Sequence, residues 1–369
     1  MVSPEPASGE REVVTRDSAR PIRRRAPVDR LVVGYSSRLG PISEVERELL
    51  TFPGVDLVEM DLMTEDRIVA ASRRADYLIV GAVEPITRDT LLRMDPVRLI
   101  VRRGAGFDNV DVDAATERGI AVAHVPDASV EEVSDHALAL MLALIRRVTE
   151  IDRLVRNGVA ARERLPVEEI PRLSEMTVGV VGLGRIGSRF AEKAGALFAE
   201  VIGYDKAGQP VEGVRWTELD ELLRTADAVS VHVPLTPDTR HLFDRRAFGA
   251  MKPGSVLVNT SRGEVIDEVA LDEALASGRL SGAGLDVLVE DPPSAEHRLL
   301  VHDNVVVTAH TAGRGASASL ALRRRSVEAV VAALHGRYPE VMLNREVWRQ
   351  PPSPHLKESD PERPPKEAR

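Results

Sequence analysis

Short β-branched runs alternate with stretches of helical periodicity in two series along this chain, and that alternation limits its fold more than any other feature. Candidate strands of the first series are Leu31–Tyr35, Tyr77–Val80, Leu99–Arg102 and Ala121–Val125. Those of the second are Val178–Leu183, Val201–Asp205, Ala228–Val233, Val256–Thr260, Ala283–Val287 and Val305–Thr308. Helical patterns such as Ser43–Leu50, Ile186–Phe198 and Glu268–Ala276 fall between them. Strand, helix and strand in succession imply crossover connections, hence parallel sheets covered on both faces. Between the two series, Val133–Val148 is apolar on nearly every face, which predicts a helix buried between domains or in an oligomer interface. The fold class expected is α/β, with two Rossmann-like domains and a site in the cleft between them.

Composition narrows the chemistry. A chain of 369 residues with 43% hydrophobic content can bury more than one core. It has no cysteine, which rules out disulfides, thiolate metal sites and a cysteine nucleophile, and is compatible with a cytoplasmic setting. The net charge of −9 argues against nucleic acid as a partner. The longest apolar run, Ala137–Ile145, is too short to cross a bilayer, and the N-terminus lacks the apolar stretch of a signal peptide. No membrane partner and no metal site are expected. Residues 1–29, with Arg23, Arg24 and Arg25 in succession, and the proline-rich 346–369 are expected to be disordered tails.

One segment points to a nucleotide. Val178-Gly-Val-Val-Gly182-Leu-Gly184-Arg185-Ile186-Gly187 is a strand running into G-x-G-x-x-G and then a helix. Gly182 permits the tight turn, Gly184 lets backbone approach a pyrophosphate, and Gly187 lets helix and strand pack closely, while the helix N-terminus offers N–H donors. Asp205 ends the next strand, 18 residues after Gly187, where its carboxylate can accept from both ribose hydroxyls and repel a 2′-phosphate. NAD is therefore expected rather than NADP, although Lys206 alongside could soften the discrimination.

Downstream, an arginine, a carboxylate and a histidine each stand just past a candidate strand of the second series, in Asn259-Thr-Ser-Arg262-Gly263, Gly284-Leu-Asp286-Val287-Leu-Val-Glu290-Asp291 and Thr308-Ala-His310. Ligands in such sheets bind beyond the carboxyl ends of the strands. With His232-Val-Pro-Leu-Thr-Pro-Asp-Thr239, Arg103-Gly-Ala-Gly106-Phe-Asp-Asn109-Val-Asp111, Val125-Pro-Asp and Glu132-Val-Ser-Asp-His136-Ala-Leu, these stretches resemble the D-isomer-specific 2-hydroxyacid dehydrogenase family from about residue 30 to 345. The wording around Val125–Leu140 is most similar to the branch of phosphoglycerate dehydrogenases and C-terminal-binding-protein-like dehydrogenases.

The resemblance implies an NAD-dependent oxidoreductase that interconverts a 2-oxo acid and a D-2-hydroxy acid, as a homodimer. It divides the chain into a flavodoxin-like substrate-binding domain (30–126 plus 317–345) and an NAD-binding Rossmann domain (127–316). It makes Arg262 the binder of the substrate carboxylate, for which a planar bidentate donor is suited. His310 becomes the general acid and base, with a neighbouring carboxylate, Asp291, keeping it protonated enough to donate. Ala105 and Gly106 would offer backbone donors to the substrate. Gly182, Gly184, Arg185, Ile186, Gly187, Asp205, Val233, Pro234, Thr239, Thr260, Asp286 and Gly313 would contact the cofactor. His136 is expected to be structural and His232 to support the cofactor loop.

This sequence departs from the family pattern in places. Asp291 stands where glutamate is usual, shorter by one methylene, about 1.5 Å; Glu290 is the substitute considered, and Asp291 is preferred. Ala309 stands where proline is common. The loop Gly81-Ala-Val-Glu84-Pro-Ile lacks the arginine of phosphoglycerate enzymes and adds an acid, which argues against a phosphate-bearing substrate. Two other readings stay open on this fold. One is an NAD(H)-sensing corepressor-like binding protein, and the other an oxidoreductase acting on formate or phosphite, the formate type being disfavoured by Asp291.

Overall fold

Aliphatic runs with helices on either side form two parallel sheets. The structure, a computed structural model, describes residues 30–159, 170–208, 210–290 and 292–348. The first sheet holds Leu31–Ser36 (β1), Val55–Met60 (β2), Tyr77–Val80 (β3), Leu99–Arg102 (β4) and Ala121–His124 (β5), in the order β2-β1-β3-β4-β5. The second holds Thr177–Val181 (β6), Glu200–Tyr204 (β7), Arg215–Trp216 (β8), Ala228–Val231 (β9), Ser255–Asn259 (β10), Leu280–Leu285 (β11) and Val305–Val307 (β12). Its order is β12-β11-β10-β9-β6-β7-β8. All pairings within both sheets are parallel. The strand order reverses between β6 and β9, the crevice where doubly wound sheets take ligands.

The central strands are apolar on both faces because their alternate residues enter different cores. Leu78, Val80, Ile100 and Val122 face Ile68, Ile86 and Leu91 on one side of the first sheet. Tyr77, Ile79, Leu99, Val101 and Ala121 face the opposite side, where Val327, Val330 and Leu334 of the helix Ala316–Leu334 cover them. Burying one such aliphatic side chain contributes about 1.5–3 kcal/mol. The segment that follows the second sheet thus returns to cover the first.

Two strands escape the sequence pattern, and both are edges. In β2 the polar Asp56 and Glu59 interrupt the apolar run, since most of the strand is only half-buried. β8 has two residues, both exposed. A third difference concerns the expected helix Val133–Val148. It spans Val130–Ile145, packed by Ala137, Leu140, Met141 and Leu144 against the second sheet. Arg147 then takes a left-handed conformation (φ 55°), its guanidinium held by Glu150 at 2.8 and 2.9 Å. A second helix, Val148–Arg156, begins there with no buried residue, so Val148 is 54% exposed rather than part of the core.

The C-terminal segment is fixed by one buried amide. Asn344 Oδ1 accepts from Val122 N–H (2.8 Å), and its Nδ2 donates to Ile120 O (2.9 Å) and Thr116 Oγ1 (3.0 Å). Asn344→Ala leaves the Val122 N–H and the Ile120 carbonyl buried without these partners, and is expected to lower unfolding free energy by about 3 kcal/mol. Asn344→Asp, which keeps the acceptor and loses the donors, is expected to fall between. Denaturant unfolding checks both, and a change below about 1 kcal/mol for the alanine variant contradicts this role.

Candidate active site

The dinucleotide cradle lies past the carboxyl ends of β6, β7 and β9. Gly182 has φ 96°, and a Cβ there would press on His232 carbonyl carbon at 2.8 Å and Val233 Cγ1 at 2.9 Å. A Cβ on Gly187 would overlap Gly182 O, so strand and helix touch as the glycine spacing requires. Gly184 is the opposite case, since a Cβ there would meet nothing within 4 Å. It precedes the helix Arg185–Gly195, whose first residues, Arg185 and Ile186, line its opening turn. Asp205 accepts from Leu183 N–H and Ala207 N–H, each at 2.8 Å, which aims its carboxylate back at the glycine turn. His232 hydrogen-bonds Ser230 Oγ at 2.9 Å and packs on Phe190, 5.2 Å between ring centres. Burial pushes its pKa down to about 3, which leaves the ring neutral. Pro234 O takes the Thr239 hydroxyl at 2.6 Å, closing the turn that follows.

Opposite stands the loop after β4. Arg262 crosses to it from the end of β10, where Asn259 fixes the turn by donating to Arg262 O (2.8 Å) and accepting from Ser261 N–H (2.9 Å). The Arg262 Nε–H bonds Asp108 Oδ1 at 2.8 Å and its Nη1 bonds Ser261 O at 2.7 Å. A Cβ on Gly106 would overlap Arg262 Nη2, so this guanidinium lies directly over the Ala105–Gly106 backbone. Burial pushes the Asp108 pKa up, but the charge and hydrogen bond of Arg262, with a backbone N–H and the Arg102 charge, together hold the carboxyl below its ordinary range. Arg102, at the end of β4, is a second buried guanidinium whose Nε has no hydrogen-bond partner. Burial first, and the Arg262 charge second, push its pKa down to about 10. His124 donates from Nδ1 to Ala105 O at 2.8 Å and meets Phe107 edge-on.

His310 follows β12 on an exposed turn with two successive left-handed residues, Ala309 (φ 24°) and His310 (φ 54°). Its backbone N–H donates to Asp286 O at 2.6 Å. The buried Asp286 carboxylate accepts from Thr308 Oγ1 (2.7 Å), Thr311 N–H (2.8 Å) and Ala312 N–H (2.9 Å). His136 Nε2 reaches Thr308 Oγ1 at 2.8 Å. Gly313 ends this loop beside Ser129. Asp291 lies outside the described residues, and Glu290 is exposed. The fold thus sets Arg262, at the end of β10, against the Ala105–Gly106 loop after β4, and places His310 past the end of β12 in the same sheet as β10. Sequence reasoning missed Arg102, Asp108 and His124, although Arg102 stands in the quoted glycine loop's approach. It also read His136 as structural only.

Residues 138–312 match the D-isomer specific 2-hydroxyacid dehydrogenase, NAD binding domain. The chain is 37% identical over 287 residues to D-3-phosphoglycerate dehydrogenase of Methanocaldococcus jannaschii, covering 76% of this chain and 54% of that one. It therefore spans about half the length of that relative. It is also 37% identical over 276 residues to hydroxypyruvate reductase of Thermotoga maritima, covering 74% of this chain and 88% of the relative. The chain belongs to the D-isomer specific 2-hydroxyacid dehydrogenase family. Among solved structures of this family, D-lactate dehydrogenase of Aquifex aeolicus, complexed with NAD and lactic acid, superposes with a TM-score of 0.73 at 30% identity. That similarity covers 82% of this chain and 96% of the other.

The residues present fit the NAD of the family. Gly184 leaves space where a side chain would block a pyrophosphate. Thr260 Oγ1, just past β10, is a buried hydroxyl with no partner in the protein, as a cofactor-facing donor would be. Lys206 is turned away to Asp238 at 2.7 Å, so the cation beside Asp205 is already paired. Among the described residues, no group of three or more His, Asp or Glu is placed to hold a metal, and no helix is long and apolar enough to cross a membrane.

The neutral His232 has a consequence for stability. Its pKa is depressed to about 3 in the fold, against about 6.5 when unfolded. The unfolded chain therefore binds the extra proton first, and stability is lost as pH falls from 6.5 toward 3. By pH 4.5 the loss from this group is roughly 3 kcal/mol. His232→Gln is expected to flatten the fall of the thermal midpoint between pH 6.5 and 4.5. An unchanged slope contradicts the assignment.

Proposed function

We propose that the chain is an NAD-dependent dehydrogenase interconverting a small 2-oxo acid and the D-2-hydroxy acid. The observation that carries this reading is the Arg262 guanidinium laid over Gly106, which sets a bidentate anion binder opposite the dinucleotide cradle. Arg262 takes the substrate carboxylate through parallel N–H donors, with the backbone at Ala105 and Gly106 and the buried charge of Arg102 adding to the hold. When bound, NADH supplies a hydride to the substrate's C2. His310 gives a proton to the carbonyl oxygen as negative charge develops there, and takes it back in oxidation. Asp291 is proposed as the carboxylate partner of His310. Asp205 leaves room for ribose hydroxyls and opposes a 2′-phosphate, which supports NAD over NADP. The exposed Val148 and Val155 (61%) on the helix Val148–Arg156 support a homodimer with this face against a second copy.

A panel of 2-oxo acids with NADH tests the reading. His310→Ala is expected to lower kcat by about 10³-fold or more, since general acid catalysis contributes 10²–10⁴-fold. Arg262→Gln is expected to raise KM for every active substrate. Absence of turnover on the whole panel, despite NADH binding, overturns the enzyme reading.

The substrate end of the cleft points to a class within the family. Glu84 is buried, and its carboxylate accepts from Gly81 N–H (3.0 Å), Val83 N–H (3.2 Å) and the Ser36 hydroxyl. Asn109 ties this turn to the substrate loop by donating to Gly81 O (3.1 Å) and Glu84 O (2.9 Å). The donors that could hold a distal anion are thus already occupied by an internal one. We infer a short substrate without a phosphate, of the size of glyoxylate or hydroxypyruvate, the latter matching the name of the Thermotoga maritima relative. Hydroxypyruvate is expected to exceed its 3-phosphate ester by at least 10²-fold in kcat/KM. Glu84→Gln is expected to narrow that ratio by about tenfold, equivalent to ~1.4 kcal/mol. A wild-type preference for the phosphate ester contradicts the inference.

A further inference from the structure

We infer that His136 is a positioning residue for His310, acting through Thr308 and Asp286; this rests on the reading of His310 as general acid and base. His136 sits on the helix Val130–Ile145, 172 positions before Thr308. Its Nε2 lies 2.8 Å from Thr308 Oγ1 and 3.6 Å from Asp286 Oδ1. Thr308 precedes His310 by two residues and lies at the base of its turn.

Proton counting gives the contact a direction. Asp286, as a carboxylate, only accepts, and two of its three bonds are to backbone N–H groups. Thr308 has one hydroxyl proton, and the 2.7 Å contact to Asp286 Oδ1 uses it. Thr308 Oγ1 can therefore only accept from His136, which fixes the His136 proton on Nε2. The chain of donation runs from His136 Nε2–H to Thr308 Oγ1, and from the Thr308 O–H to Asp286 Oδ1. Asp286 in turn holds Thr311 and Ala312 on the far side of His310, and its backbone oxygen holds His310 N–H at 2.6 Å. The turn bearing His310 is thus clamped before and after the left-handed pair.

Without His136, Thr308 loses the donor that locks its rotamer, and the hydroxyl is able to turn from Asp286 to a backbone oxygen. The position of His310 in the transition state loosens, while the cofactor cradle past β6, β7 and β9 is untouched. Such an effect lowers kcat and kcat/KM together and leaves KM in place.

The test compares His136→Leu, His136→Gln, Thr308→Val and the His136→Leu/Thr308→Val double variant with wild type. Assays use NADH and the best 2-oxo acid of the panel, with NADH affinity from its fluorescence and thermal midpoints measured alongside. His136→Leu is expected to lose 10- to 30-fold in kcat, with KM, NADH affinity and thermal midpoint little changed. His136→Gln, whose amide N–H can stand in for Nε2–H, is expected to recover kcat to within threefold of wild type. The double variant is expected to lose no more than the larger single loss, since the two side chains act in series. Wild-type kcat in His136→Leu overturns the inference. So does a loss that the glutamine does not recover, or losses that multiply in the double variant. If His136→Leu fails to fold, Thr308→Val carries the test, and wild-type kcat there overturns the inference too. His310→Ala in the same assay separates the two claims. Full activity in that variant removes the acid–base reading, whereas a dead His310→Ala beside a fully active His136→Leu removes only the relay.

Discussion

The ion pair between Arg262 and Asp108, 2.8 Å across the cleft, governs how the rest of the site is built. A guanidinium withdrawn from water loses several kcal/mol of hydration, which a neighbouring anion offsets in part. At an effective dielectric of about 20, unit charges ~4 Å apart interact by about 4 kcal/mol, against about 1 in bulk water. Arg102 is buried nearby, and the Arg262 charge opposes its own. Asp108 bonds Arg262 directly, and the charges of Asp108 first and Glu84 second oppose the downward push that burial and Arg262 exert on Arg102. The glycines of the substrate loop follow from the same packing. A Cβ at Gly104, where φ is 140°, would overlap Arg102 Nη1, and one at Gly106 would overlap Arg262 Nη2. Gly-Ala-Gly is thus a cradle for two arginines as well as a turn.

Local pattern made the central architecture legible. The strands buried on both faces, β3, β4, β6, β9 and β10, are predominantly apolar runs, and the spacing of Gly182, Gly184 and Gly187 marks the turn the structure contains. What escaped rests on solvation, backbone conformation and folded contacts that an apolar pattern does not carry. β2 is an edge whose solvated face dilutes its apolar signal, and the end of the helix at Ile145 is set by the left-handed Arg147 and its pairing with Glu150. His136 looked like one more polar residue on a buried helix, because nothing near it in sequence announces Thr308. Glu84 was noticed as an added acid, but that its carboxylate satisfies its own loop's N–H groups is a fact of folded geometry.

The left-handed pair at Ala309 and His310 shows how the remaining departures fit together. A non-glycine residue in that region costs about 1–2 kcal/mol, so the turn carries roughly 2–4 kcal/mol of strain. A hydrogen bond to a charged acceptor contributes about 1.5–3 kcal/mol, and the Asp286 carboxylate accepts three from Thr308, Thr311 and Ala312. The clamp therefore outweighs the strain, and only an acceptor on both oxygens can do so. An asparagine would turn an NH₂ group toward one set of donors. The same geometry accounts for Ala309, since a proline ring fixes φ near −65° and cannot adopt the +24° found there. Ala309 and Asp286 are thus two halves of one arrangement, in which residue 309 is free to take the strained conformation and the buried carboxylate keeps it there.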